Sequence, residues 1–395
     1  MTAAQLLSEL HFPALPEFVA EFRHAPNRTV LFGPGVVAQV GELIAALPAK
    51  RVLVVTDPGI AAAGHLERVC GYLNAAGLDV STFTEVRENP TTAIVDACVA
   101  TARAANVDAL VGLGGGSSMD AAKGCNFILT NGGRMQDYWG VGKAAHPMLP
   151  FIAIPTTSGT GSECQSFALI SDEHTHAKMA CGDKKAAACL AILDPELTLT
   201  QPGMVTRHTG IDALTHALES AVSTKATDIS QAYSQAAFAL LAKGFPTVLA
   251  DPADLHGRSQ MLLGAALAGV AIENSMLGAA HACANPLTAQ FEVVHGEAVG
   301  VMMPSVIKLN LSNPAANIQY AALAASLGLT AEELPAWFTN LLQTAGLPQS
   351  LRHWNIQPEH LASLASQAAT QWTGTFNPVS VSQEVLEQLY SVTLR

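Results

Sequence analysis

The sequence predicts a two-part chain: an N-terminal α/β domain with a parallel sheet over residues 1–202, then an all-helical domain over residues 203–395. Three observations predict it. The chain has 395 residues, more than the roughly 100–200 of one ordinary domain. Before Gln201-Pro202-Gly203, short β-rich runs alternate with Ala-rich helical stretches, the mark of parallel βαβ units. After Pro202 the strand signals stop and helical periodicity takes over.

Taken in order, RVLVVTD (51–57), DVSTFTEV (79–86), DALVGLG (108–114), PFIAIPT (150–156) and ACLAILD (188–194) read as strands, and TTAIVDACVATARAA (91–105) as a connecting helix. Segments 204–223, 228–250, 254–272, 296–311, 314–327 and 331–345 read as helices, with Gly or Pro near most ends. The longest apolar stretch, Met261 to Ile272, contains Gly264 and Gly269 and falls short of the ~18 residues a membrane span needs. Near the N-terminus, Glu9 and two prolines stand where a signal peptide would have its apolar core.

Composition narrows the partners. Lys plus Arg number 20 against 32 Asp plus Glu, a formal charge of −12, which argues against nucleic acid or an anionic membrane as partner. Only 13% of residues are charged and 49% are hydrophobic, which excludes disorder and points to a large apolar interior with a buried subunit interface. A homodimer or higher homo-oligomer is therefore expected. The seven cysteines form no CxxC pair, Cys181 and Cys189 being the closest. They read as reduced, buried residues of a cytoplasmic protein.

Two turns suit a nucleotide. In ALVGLGGGSSMDAAK (109–123) an apolar strand runs into Gly114-Gly115-Gly116, and Ser117-Ser118 are placed to cap a helix beginning at Met119. Glycines let backbone approach a ligand, and a helix N-terminus presents free N–H groups to an anion. No GK[ST] follows, which argues against a P-loop. A second polar turn, Pro155 to Glu163, follows the strand FIAIP and carries four hydroxyls and two glycines in its first seven residues. Two such turns at the carboxyl ends of parallel strands fit the phosphates and ribose of a dinucleotide. Asp57, which ends RVLVVTD, is either a ribose ligand that repels a 2′-phosphate or a helix-cap residue before Pro58-Gly59.

A second constellation suits a metal. GIDALTHALES places Asp212 and His216 at i and i+4 on one side of a helix, with Ile211, Leu214 and Leu218 on the apolar side. His281 lies in GAAHACANPL and His295 fourteen residues later in VVHGE. One carboxylate and three imidazoles suit Fe(II), Zn(II), Mn(II) or Co(II) better than a thiolate-seeking metal. From spacing alone, packed histidines remain the alternative. The other histidines considered, among them His11, His24, His65 and His176, read as structural or surface residues.

With these residues in view, the chain resembles the iron-containing (type III) alcohol dehydrogenase family, within the dehydroquinate synthase-like fold. The resemblance rests on FGPG (32–35), VTDPG (55–59), NPT (89–91), GGGSSMDAAK (114–123), PTTSGTGSE (155–163), DPELT (194–198), GIDALTHALES (210–220), GAAHACANPL (278–287) and VVHG (293–296). It spans roughly residues 28 to 380, including Asn377-Pro378, and leaves about the first 25 as an edge segment. It implies Asp212, His216, His281 and His295 as metal ligands, iron first and zinc second. It implies Gly115, Gly116, Ser117, Ser118 and Asp120 at the pyrophosphate of NAD, and Thr156, Thr157 and Thr160 in the second cofactor loop. Asp57 matches the adenosine-ribose position, Asn89 lies near the adenine, and Lys178 falls towards the nicotinamide. One position departs: Asn285 stands where many members carry a histidine, which puts the family's usual proton path in doubt.

The implied activity is NAD(H)-linked hydride transfer between a small primary alcohol or aldehyde and nicotinamide, with the metal as Lewis acid. On the same scaffold, glycerol-dehydrogenase-like or oxo-acid (maleylacetate-type) reductase chemistry is the alternative, although no Arg cluster marks a carboxylate clamp. A dehydroquinate-synthase-like lyase fits less well. Residues 203–300 hold only Arg207, Lys225, Lys243 and Arg258 as strong bases for a phosphate and a carboxylate.

Overall fold

The computed structural model describes residues 2–8, 29–175 and 177–395. His11, His24 and His176 lie outside them, as does most of the expected edge segment. Its described part is a short helix, α1 (Ala3–Ser8), with Leu6 and Leu7 buried. The chain divides into two compact units, the second comprising Pro202–Arg395 together with the short turn Ser158–Thr160.

In the first unit, the five runs read as strands form β2 (Arg51–Val55), β3 (Asp79–Phe83), β4 (Ala109–Gly114), β6 (Phe151–Pro155) and β9 (Leu190–Leu193). Together with β1 (Thr29–Phe32) they make a six-stranded sheet in the order β1-β9-β6-β4-β2-β3, and every pairing in it is parallel. The apolar runs suit this position because a parallel sheet is covered on both faces. Leu53, Val55, Leu110 and Phe151 pack into one core, with α5 (Thr92–Ala104) and α6 (Gly116–Asn131). Val52, Val54, Val111 and Ile152 pack into the other, with α2 (Val40–Ala45) and α4 (His65–Ala75). A short helix, α3 (Pro58–Ala62), follows β2. The chain therefore leaves β2 for one face and β4 for the other, and a crevice opens at the carboxyl ends of these neighbours. A second sheet, β5-β8-β7, was not expected; it comprises β5 (Gly140–Val141), β7 (Phe167–Ser171) and β8 (Lys178–Gly182).

Among its described residues, the regular elements of the second unit are helices: α7 (Gly203–Val222), α8 (Asp228–Ala250), α9 (Leu255–Ser275), α10 (Ala279–Phe291), α11 (His295–Asn310), α12 (Pro314–Ala325), α13 (Leu334–Thr344), α14 (Leu361–Ala368) and α15 (Gln383–Thr393). The segments expected as helices correspond to α7, α8, α9, α11, α12 and α13, while α10, α14 and α15 are additions. The stretch Gly210–Val222 of α7 is buried on all sides, so its Asp212 and His216 face protein rather than solvent. Among the described residues, no single helix is long and apolar enough to cross a membrane.

Candidate metal centre and nucleotide turn

Three neighbouring strands bring the nucleotide candidates together in the first unit. Gly114 and Pro155 are paired across β4 and β6, and the Thr156 N–H donates to the Gly114 carbonyl at 3.0 Å. A Cβ on Gly115 would stand 3.4 Å from Thr157 Oγ1, and one on Gly114, whose φ is +144°, would collide with Ser118 Oγ at 2.6 Å. Glycine is required at 114 on both counts. The expected capping by Ser117 and Ser118 of a helix starting at Met119 is corrected here. Helix α6 begins at Gly116, Gly115 is its N-cap, and no side chain caps it. Both serines thus sit inside the first turn, whose leading amides are left for an anion.

Asp57 is the N-cap of α3, its Oδ1 accepting from the Ile60 N–H at 3.0 Å. Its Oδ2 lies 3.5 Å from Ser118 Oγ, which keeps the carboxylate beside the glycine turn. Asp120 is buried and accepts from Ser162 Oγ at 3.0 Å, so it ties the two turns together. Lys123, fully buried, completes the tie by donating to Ser162 O at 2.7 Å, Ser162 Oγ at 2.8 Å and Phe167 O at 3.0 Å. The exposed Lys178 Nζ donates to Asn89 Oδ1 at 3.2 Å, near the bridge from Thr91 to Ser171, the β7 residue paired with Lys178.

The metal candidates converge in the second unit. Helix α7 places Asp212 and His216 one turn apart, α10 brings His281 and α11 begins with His295. The Nε2 atoms of His216, His281 and His295 stand 3.3, 3.6 and 3.7 Å from the one oxygen Asp212 Oδ1. Donors around a tetrahedral ion at about 2.1 Å stand about 3.4 Å apart, so these distances fit a metal better than hydrogen bonds; Asp212, His216 and His281 form the mutually close buried group, and His295 joins it beside Asp212 and His281. Asp212 Oδ1 and His281 Nε2 are moreover buried without any hydrogen-bond partner, a costly arrangement unless a cation takes both. The rings of His216 and His281 stack at 4.8 Å between centroids.

Glu219, one helical turn beyond His216 on α7, fixes the arrangement. Its Oε2 accepts from His281 Nδ1 at 2.5 Å and its Oε1 from the Ala280 N–H at 2.6 Å. With the ring proton on Nδ1, the Nε2 lone pair faces Asp212. Asn377 adds a bond from the Ala279 N–H at 3.3 Å, so the first turn of α10 is satisfied by groups distant in sequence. Burial alone would raise the Asp212 pKa, but His216, His281 and His295 outweigh it and hold the carboxyl well below the usual range. Burial, helped by His281, keeps His216 below the ordinary histidine value. For His281, burial is overcome by Glu219 and Asp212, which push it up to about 9. Two buried carboxylates are thus drawing positive charge into one spot.

Asn285, one turn beyond His281 on α10, donates from Nδ2 to Gln371 Oε1 at 2.8 Å. Glu219, Lys123 and Gln371 are the residues that the sequence reading did not single out. For Glu219 a signal existed, since Asp212, His216 and Glu219 recur at 0, +4 and +7 on one helix face. Of the expected surface or structural histidines, His65 is buried against Thr200 Oγ1 at 2.7 Å.

Comparison with known proteins agrees along the chain. Residues 26–195 match the family model of the iron-containing alcohol dehydrogenases, and residues 206–394 match the C-terminal model of the same family. Alcohol dehydrogenase 4 of Schizosaccharomyces pombe is 34% identical over 363 residues, covering 91% of this chain and 86% of that one. The NAD-dependent methanol dehydrogenase of Bacillus methanolicus is 34% identical over 367 residues, covering 90% of this chain and 96% of that one. Among solved structures, a 1,3-propanediol oxidoreductase superposes with a TM-score of 0.89 at 30% identity, covering 93% of this chain and 98% of that one.

Proposed function

This chain belongs to the iron-containing alcohol dehydrogenase family, and from that premise we propose an NAD(H)-linked alcohol dehydrogenase and aldehyde reductase whose metal is held by Asp212, His216, His281 and His295. The observation that carries the metal site is the convergence of three histidine Nε2 atoms on the single oxygen Asp212 Oδ1. Iron is preferred to zinc on the family's chemistry, since the donor set admits both. When bound, the metal supplies Lewis acidity to the oxygen of a small alcohol or aldehyde. The chain does the rest by orientation. Glu219 keeps the His281 lone pair directed at the centre, and the open amides at Gly115, Gly116 and Ser117 receive the pyrophosphate of NAD, with Ser118 packed behind them. Asp57 meets the adenosine ribose and disfavours a 2′-phosphate. Thr156, Thr157 and Thr160 line the second turn, which Asp120 anchors through Ser162. Asn89, assigned near the adenine, and Lys178, assigned towards the nicotinamide, are joined by a hydrogen bond. Asn285, pinned to Gln371, carries no titratable proton, so proton exchange with solvent uses water, a ribose hydroxyl or another residue. The low charge content favours a homo-oligomer, and seven cysteines without CxxC spacing favour a reducing cytoplasm.

The test is elemental analysis of protein purified without oxygen, followed by an NADH-consumption screen over small aldehydes after reconstitution with Fe(II) or Zn(II). One metal per chain is expected, lost together with activity in His281→Ala. Full activity in exhaustively chelated protein would refute the reading.

A further inference from the structure

The four proposed ligands are not held equally. Asp212 and His216 share the buried helix α7, and His281 is locked by Glu219. Their side chains are 6–7% exposed, whereas that of His295 is 31% exposed. His295 is also the first residue of α11, which has Val294 at its N-cap and no side-chain cap. A helix end without a side-chain cap frays unless neighbouring elements hold it. Two features of the next two residues provide that hold. A Cβ on Gly296 would lie 2.2 Å from the carbonyl oxygen of His208, so only glycine lets α11 seat directly on the α7 backbone. Glu297 then reaches across, its Oε1 accepting from His208 Nε2 at 3.1 Å, with both side chains largely shielded from solvent. His208 precedes Asp212 by one helical turn, so the bond ties the start of α11 to the helix that carries two ligands.

We propose that His208 and Glu297 are positioning residues for His295: their hydrogen bond, with Gly296 beneath it, holds the most exposed ligand against the metal and sets how readily the metal leaves. This rests on the metal site proposed above. Without the tie, the first turn of α11 is free to open, His295 withdraws, and the buried Asp212, His216 and His281 are left as a weaker three-ligand site.

The experiment titrates metal-free full-length protein with Co(II), read by its visible ligand-field absorption and by competition with a chelator. Thermal melting of each metal-free variant serves as the check on folding. Glu297→Ala and His208→Ala are each expected to lose about tenfold in affinity, with an altered cobalt spectrum. The double variant should lose no more than either single one, since both remove one interaction. Glu297→Gln should keep wild-type affinity, because a carboxamide oxygen accepts the same bond. Alanine variants that bind like wild type, losses that multiply in the double variant, or Glu297→Gln as weak as Glu297→Ala would each overturn the proposal. If wild-type protein takes up no cobalt, the metal site itself falls, which distinguishes that failure from this one. Should Glu297→Ala not fold, His208→Ala and Glu297→Gln decide the matter.

Discussion

Glu219→Gln probes the metal centre without altering a ligand or the volume of the side chain. In the native site both carboxylate oxygens accept buried hydrogen bonds, one from His281 Nδ1 and one from the Ala280 N–H. A carboxamide has only one acceptor oxygen. If that oxygen keeps His281, the amide NH2 faces the Ala280 N–H, and the helix start opens. If the oxygen turns to Ala280, the NH2 faces Nδ1 and drives the ring proton to Nε2, the atom that should hold the metal. Either way one bond to a charged acceptor is lost, about 2 kcal/mol, which corresponds to about 30-fold in metal affinity. That falls within the range of about 10–100-fold seen when outer partners of metal-binding histidines are removed. Competition against a chelator of known affinity, with Fe(II) under anaerobic conditions, measures it. A variant that melts like the wild type and binds metal with unchanged affinity would refute the claim that Glu219 sets the His281 tautomer.

Three further outcomes follow from other residues. Asp57→Asn preserves the N-cap of α3, because Asn caps as well as Asp, yet removes the charge. The KM for NADP should fall with little change in melting temperature, and a KM for NADP as high as in wild type would leave Asp57 only its cap role. Glu163 is buried, and that burial raises its pKa to about 7 against a partial counter-pull from Lys123. The unfolded chain therefore holds fewer protons than the native one as pH rises from about 4.5 to 7, and native stability declines over that window. Glu163→Gln should be the more stable protein at pH 8, by a ceiling of about 3 kcal/mol, and should match wild type at pH 4. Denaturant melts at the two pH values decide it. Asn285→His should retain the metal and add an ionisation between about pH 6 and 8 to the kcat/KM profile; an unchanged profile would place position 285 off the proton path.

The strands legible in the sequence were those buried on both faces, such as β4 and β6, where every residue is covered. Their apolar runs are continuous. By contrast β1 is four residues long and only partly covered, and β7 alternates covered Ala168 and Ile170 with exposed Leu169 inside a polar stretch. Helix α10 was missed for a tertiary reason. Its sequence holds Asn285-Pro286 in mid-helix and Gly278 just before its start, all local signs of a break. Its first-turn amides are nevertheless satisfied by Glu219 and Asn377, which come from α7 and from near the C-terminus. Local propensity had no access to those partners. Lys123 was hidden in the same way. It sits inside a recognised motif, but two of its three acceptors are backbone carbonyls about forty residues on, which have no side-chain signature.

The contrast between the two sites explains which residues spacing can find. The proposed pyrophosphate turn would work through backbone amides and hydroxyls, so it needs no cluster of basic residues, and a chain with a net charge of −12 can carry it. What marks it in sequence is glycine, whose lack of a Cβ is a steric demand at Gly114. The proposed metal centre is built from side chains, and two of its proposed ligands lie on one helix, where an i, i+4 relation is visible without a structure. The groups that hold the other two cannot be seen that way. His281 is held by a residue sixty-two positions upstream, and the start of α11 by a residue eighty-nine positions upstream. A search for the outer partners of a metal site should therefore begin from the ligand-bearing helix itself. Glu219 and His208 both lie on α7, one helical turn beyond His216 and one before Asp212, and each reaches out to fix a ligand that another helix supplies.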